Sequence, residues 1–131
     1  MDKLQPYRTW SRQQLWEAAE RVINHYDPDH TEAYVQLRSE CKHACMSIAW
    51  HPMTDYNGCT AVQDPHHPMP SCIVHDFNCI VSGWSKEHDK KFEQNNLLLG
   101  MEPKKAKRWY HGVRLGWNLF YFWKKKKEGE I

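Results

Sequence analysis

Long apolar runs are missing from this chain of 131 residues. A helix that spans a bilayer needs roughly 20 consecutive apolar residues, whereas the longest candidate, Leu115 to Trp123, is short and contains Asn118. The first six residues hold no apolar stretch of the secretory type, so we expect neither a signal peptide nor a transmembrane segment. Only 6 residues are Gly and 7 are Pro, which excludes collagen-like and low-complexity chains.

Cysteine occurs in an odd number, five. Without a signal peptide a full disulfide framework is not expected, and small buried thiols are the simpler interpretation. Seven Trp residues and an aromatic content of 13% supply large apolar rings. A single domain over residues 1–131 can therefore fill a core.

Positive charge is scarce in the first two thirds of the chain. Residues 1–83 hold 6 Lys and Arg against 10 Asp and Glu, a net charge of −4, whereas residues 84–131 hold 12 against 6, a net charge of +6. The basic part suits contact with phosphate on nucleic acid or lipid. A solvated basic helix and tail is the alternative.

Helical spacing of apolar residues predicts a mostly α fold of about five helices. A helical hairpin is expected within residues 9–50, from helices over about 9–26 and 31–50. Ser11 with Gln14 forms a capping-box pattern before the first helix, and Asp29 with Glu32 forms one before the second. The apolar face predicted for the second helix comprises Tyr34, Leu37, Cys41, Ala44, Cys45 and Ile48.

Turn and breaker residues dominate residues 51–70 and predict a long irregular loop, with a short hairpin at Cys59 to Gln63. Functional roles are common for loops of this length. Helices are then expected over about 71–82, ending at Gly83, and over about 86–99, with Ser85 as N-cap and Gly100 as the glycine that ends it. A fifth helix is expected from Pro103 onward. Residues 51–123 thus hold a helix pair and a C-terminal aromatic helix, and residues 124–131 form a basic tail.

The helix predicted over 71–82 carries the residues with the most chemistry. Cys72, His75, Asp76 and Cys79 lie on one side of it at helical spacing. Because a short turn follows, the next helix returns antiparallel and brings Asp89 toward His75. A histidine held by a carboxylate is a general base with a fixed tautomer. The alternative is a buried polar network that joins two helices.

A resemblance follows from five short motifs in order: Thr54-Asp55, Cys59-Thr60, His75-Asp76, Ser85 to Phe92 with Asp89, and Tyr110 to Arg114. Their order and spacing over about residues 52–118 resemble a family of small phage and prophage proteins of unknown function. Members typically read Thr-Asp, a small residue with Ser or Thr, His-Asp, Ser-Arg-x-x-Ala-Asp-x-x-Phe and Tyr-x-x-Val-Arg. The resemblance implies a phage protein located in the virion or in the host cytoplasm.

The His-Asp helix pair also resembles that of phospholipases A2, in which a histidine activates water, the adjacent Asp binds calcium and a distant Asp orients the histidine. Carried over, that resemblance implies His75 as the base, Asp89 as the orienting residue and Asp76 as a calcium ligand. Asp55 and carbonyl groups of the loop around Gly58 are the further calcium ligands it suggests.

A zinc site is a further hypothesis, because Cys72, His75 and Cys79 share a helix face and zinc binds four N or S ligands. Cys41 and Cys45 share another face. The spacing of these residues differs from the usual zinc-knuckle pattern.

The C-terminal helix is rich in rings and ends in four lysines. A helix that is apolar on most sides must be buried on most sides or meet a partner. We expect Trp109, Phe122 and Trp123 to contact a partner chain, with lysines at the rim. Phospholipid headgroups and the nucleic-acid backbone are alternative partners. The simplest interpretation is a core helix with a solvated end and no partner. The rim lysines are Lys124, Lys125, Lys126 and Lys127.

Two functions are therefore predicted. The first is a phage virion or accessory protein that acts as an interaction module. The second is a calcium-dependent lipid hydrolase that uses His75, Asp76 and Asp89.

Overall fold

The computed structural model describes residues 10–51, 68–83 and 85–127, and side chains as far as Leu115. Five α-helices follow one another: α1 (Arg12–Tyr26), α2 (Val35–Met46), α3 (Pro70–Ser82), α4 (Lys86–Leu98) and α5 (Pro103–Lys127). A short 3-10 turn, Glu32–Tyr34, precedes α2, and no strand occurs in these ranges. The mostly α prediction is confirmed. The predicted hairpin at Cys59 to Gln63 lies outside the described residues.

Helix starts follow the local sequence. Ser11 accepts a hydrogen bond from Gln14 N while the Gln14 side chain accepts from Ser11 N, so the predicted capping box is present. Ser85 caps α4 by accepting from His88 N. The predicted capping by Asp29 is wrong: Asp27 accepts from both Thr31 N and Thr31 Oγ1, because the turn after α1 brings that carboxylate to the 3-10 start.

Helix α3 is central, since it packs against α1, α2 and α4, and α5 packs on α4. The core between them is built from aliphatic side chains, three cysteines and the rings of Trp16, Trp50, Phe77 and Phe92. Ile48 was predicted to join this core and is 93% exposed. The helical period no longer applies at Ile48 because α2 ends at Met46. Ile80 and Val81, near the end of α3, are also exposed.

Hydrogen bonds of two side chains, Arg38 and Tyr34, join the first helices to their neighbours. Arg38 donates to Asp27 Oδ2 at 3.1 Å and to Asn24 Oδ1 at 2.6 Å, which joins α2 to the end of α1. Tyr34 donates its hydroxyl to Leu98 O at 2.6 Å and so joins the start of α2 to the end of α4. Within the described part of the chain, no helix combines the length and the hydropathy that crossing a bilayer requires.

Candidate functional site: a buried His-Asp-Arg cluster

The site is assembled from three consecutive helices. His75 comes from the middle of α3, Asp89 from the first turn of α4 and Arg114 from α5. The α3–α4 connection is residues 83–85, and Gly83 adopts a φ of +81°, a conformation that L side chains rarely adopt. This short reversal makes α3 and α4 neighbours, so that a residue one turn into α4 faces the middle of α3.

His75 and Asp89 form a close pair. The distance from His75 Nε2 to Asp89 Oδ1 is 2.6 Å, Asp89 is fully buried and the His75 side chain is 11% exposed. A carboxylate offers only lone pairs, so the hydrogen of this contact is the one on Nε2, and in the neutral imidazole Nδ1 then carries the lone pair. The predicted contact across antiparallel helices is present.

Asp89 has a second partner that the sequence did not assign. Arg114 donates from Nη1 to Asp89 Oδ2 at 3.3 Å, so each oxygen of the carboxylate has its own donor. The guanidinium is thus a cationic partner for this fully buried carboxylate. Arg114 belongs to the Tyr-x-x-Val-Arg motif, and its place in that motif was the available signal, although the motif does not identify Asp89 as its partner.

An aromatic ring and a cysteine sulfur also contact the His75 imidazole. Its ring centroid is 4.8 Å from that of Phe92, and Phe92 in turn stacks on Trp109 at 6.2 Å. Cys79 Sγ is 3.7 Å from His75 Nε2. Burial, followed by the negative charges of Asp89 and Asp76, raises the pKa of Cys79 to about 12. The Cys79 thiol is therefore protonated at neutral pH and is a poor nucleophile.

Asp76 lies beside the pair. Its Oδ1 is 4.0 Å from His75 Nδ1, the ring nitrogen that does not face Asp89. Calcium takes six to eight oxygen ligands, and Asp76 is the one described carboxylate of those suggested for it, because Asp55 lies outside the described residues. Among the described residues no three His, Cys, Asp or Glu side chains are arranged to hold a metal ion. The residues described do not by themselves fit a calcium site.

The zinc hypothesis is not supported by the arrangement of α3. Cys72 is buried in the core and disulfide-bonded, and a disulfide sulfur is not the thiolate that zinc binds. His75 Nε2 is engaged by Asp89. The expectation of small buried thiols is met by Cys41, Cys45 and Cys79, which are free and buried, and is wrong for Cys72, whose sulfur is in a disulfide. A mutual hydrogen bond and burial raise the pKa of Cys41 beside Cys45.

The residues predicted to contact a partner fall into two groups. Trp109 is half-buried, packs against the core and stacks on Phe92, because α5 presents that ring to α4. The side chains of Phe122, Trp123 and the four lysines lie outside the described residues. Leu115, which the sequence did not single out, is 62% exposed.

Comparison of the chain with protein-family models, with curated protein sequences and with solved structures finds no match in any of the three. The geometry of the His75–Asp89–Arg114 cluster is therefore the basis for an assignment of function.

Proposed function

We propose that the protein is a hydrolase of lipid esters in which His75 is the general base and Asp89 is the residue that positions it. One observation carries the proposal: Nε2 of a nearly buried histidine lies 2.6 Å from a fully buried carboxylate on the neighbouring helix. A carboxylate in that place fixes the tautomer and directs Nδ1 away from itself. Lipid is the substrate class that the resemblance to phospholipases A2 suggests.

The proposed reaction is a direct attack by water. His75 Nδ1 removes a proton from water as its oxygen bonds to the ester carbonyl carbon, and Asp89 stabilises the imidazolium that forms. The tetrahedral intermediate then breaks its bond to the alcohol oxygen, and the imidazolium returns the proton to that leaving group. One ester and one water become one acid and one alcohol. No step requires Cys79, whose protonated thiol argues against a covalent thioester route.

The test is hydrolysis of a short-chain phosphatidylcholine, with the released fatty acid measured by mass spectrometry. His75→Gln and Asp89→Asn are expected to lower kcat by at least about 100-fold, the range that general-base catalysis contributes. His111→Gln is the control, because that histidine is exposed on α5. Hydrolysis that survives His75→Gln would refute the proposal, as would wild-type protein without activity on phospholipid or on simple carboxylic esters.

A second function, an interaction module of a phage particle, is favoured by the length of α5. The contacts of Asp89 with Arg114 and of Glu93 with Lys107 set α4 and α5 antiparallel. Since α4 begins at Lys86 and α5 continues to Lys127, about ten residues of α5, or roughly 15 Å, extend past the start of α4. This extension holds the predicted partner residues.

The double variant Phe122→Ser/Trp123→Ser tests the interaction module. We expect it to keep its helical circular dichroism and to lose association, measured by light scattering and by sedimentation with anionic vesicles. Retained association on both measurements would refute a binding role for this end of α5. Ile48→Ser, at an exposed apolar position just beyond the end of α2, serves as the matched control.

A further inference from the structure

We propose that Arg114 is a positioning residue of the candidate site: it holds Asp89 so that the carboxylate fixes one tautomer and one orientation of His75. This inference rests on the proposed function for its catalytic consequence, and on geometry alone for the structural one. Three helices contribute one residue each, and Asp89 is the shared partner between the other two.

Arg114 restricts the rotation of the Asp89 side chain. Asp89 is fully buried, and its two oxygens face different donors, at 2.6 Å for His75 and 3.3 Å for Arg114. A carboxylate held by one donor alone can rotate about its terminal torsion, which is broad for Asp. Two donors on opposite helices remove that freedom, so the position of Oδ1 relative to the imidazole depends on Arg114.

Charge gives Arg114 a second effect on Asp89. A buried charge is costly unless it is paired and hydrogen-bonded. Arg114 is the cationic partner of the buried Asp89 carboxylate at 3.3 Å, and it leaves Oδ1 free to accept from His75 Nε2. The pairing and the restricted rotation of the carboxylate thus have the same effect on His75.

The charged and titratable groups around His75 come from three helices. Asp76 and Cys79 lie on its own helix, Asp89 and His88 on α4, and Arg114 on α5. Burial is the largest cause that lowers the pKa of His88, against the opposing charges of Asp89 and Glu87. The thiol of Cys79 is protonated and His88 favours its neutral form. Lys91 pairs with Glu40, so Arg114 is the cation of this group that contacts Asp89.

The experiment measures the tautomer of His75 directly. Ring nitrogens are labelled with 15N and their chemical shifts are recorded at pH 8, well above the ordinary histidine pKa of about 6.5. Wild-type protein is expected to show a single form with the proton on Nε2. Arg114→Met is expected to show a mixture with at least about one fifth of the Nδ1-protonated form, and Arg114→Lys to restore most of the single form.

Lys107→Met is the matched control, because Lys107 is also a cation on α5 paired with a carboxylate of α4, yet it is 61% exposed and its Glu93 partner lies at 3.9 Å. It should leave the His75 tautomer unchanged. Should Arg114→Met fail to fold, Arg114→Leu takes its place, since it also removes both the donor and the charge. An unchanged Nε2-protonated form in the Met or Leu variant that folds would overturn the proposal, even if that variant were less stable.

Hydrolysis gives a second readout that separates the two proposals. Arg114→Met is expected to lower kcat by about 10- to 100-fold with little change in KM, the range for misplacement of a catalytic group by about 1 Å. Wild-type protein with no ester hydrolysis but an Arg114-dependent tautomer would refute the hydrolase and leave the positioning role standing. Active protein with a tautomer and a kcat that do not depend on Arg114 would refute the positioning role alone.

Discussion

Replacement of Asp89 by Ala tests the geometry on which both the proposed function and the role of Arg114 depend. The change removes the acceptor of a charge-assisted hydrogen bond from His75, which typically contributes about 1.5–3 kcal/mol. The bond from Arg114, whose side chain is 27% exposed, adds at most about 1 kcal/mol, because water replaces much of it. We expect the free energy of unfolding to fall by about 2–3 kcal/mol.

The assay is urea denaturation followed by tryptophan fluorescence, with thermal unfolding as a second measure. For a chain of this size the loss corresponds to a fall in Tm of roughly 6–12 °C. Asp89 also lies in the first turn of α4, where a negative charge is favourable at the helix N-terminus. Glu87→Ala removes a second first-turn charge and measures that contribution separately.

A double-mutant cycle isolates the contact itself. His75→Ala, Asp89→Ala and the double variant should give a coupling free energy of about 1–2 kcal/mol. The exposed pair Glu93 and Lys107, treated in the same way, should give less than about 0.5 kcal/mol. A coupling between His75 and Asp89 no larger than about 0.3 kcal/mol, the scatter of independent sites, would refute the contact, the hydrolase and the positioning role together.

Four further predictions concern other parts of the molecule. Cys79, with a pKa near 12, should react with iodoacetamide at pH 8 much more slowly than the same thiol in denaturant; equal rates would contradict its burial. Burial alone would raise the pKa of Asp27, but hydrogen bonds from Thr31 and Arg38 lower it below 3.8. The native state therefore favours the ionised form, so its contribution to stability is complete above about pH 5 and is lost as the pH falls below 4; Asp27→Asn should flatten the decline of Tm between pH 5 and 3. Gly100→Ala should cost about 1 kcal/mol through its φ of +80°, and a further loss through contact with Tyr26 should be small because that ring is exposed and can move; an unchanged Tm would contradict the strained backbone. Calcium binding at Asp76 stays a prediction: if it occurs, calcium raises Tm and Asp76→Asn abolishes the rise, and no rise in wild-type protein would refute it.

Sequence patterns predicted the helices well and their ends less well. Ser11, Ser85 and Gly100 act where their capping chemistry indicated, since each signal depends only on neighbouring residues. The end of α2 was missed, and Ile48 with it, because apolar spacing continues past Met46 although the helix does not. Apolar spacing does not report the contacts at that end, where Trp50 Nε1 donates to Ala44 O and Arg12 of α1 donates to Ser47 O and Trp50 O.

The candidate site was predictable in part for a similar reason. A short turn between two helices brings His75 and Asp89 together, so their spacing alone indicated the contact. Arg114 lies 25 residues beyond Asp89, and its contact depends on the register of α5 against α4, which no local pattern reports. The capping prediction for Asp29 is wrong because the carboxylate of Asp27, and not that of Asp29, accepts the hydrogen bonds of Thr31.

The three-residue connection between α3 and α4 also bears on how the protein folds. His75 and Asp89 are 14 residues apart, and Asp89 and Arg114 are 25 apart, so the whole site closes through short chain segments. Short closures cost little conformational entropy, and chains rich in local contacts fold fast. We expect the three helices of the site to associate early in folding. Contacts that are more distant in sequence, such as that of Tyr34 with Leu98 across 64 residues, would then form later and add α1 and α2 to a site already assembled.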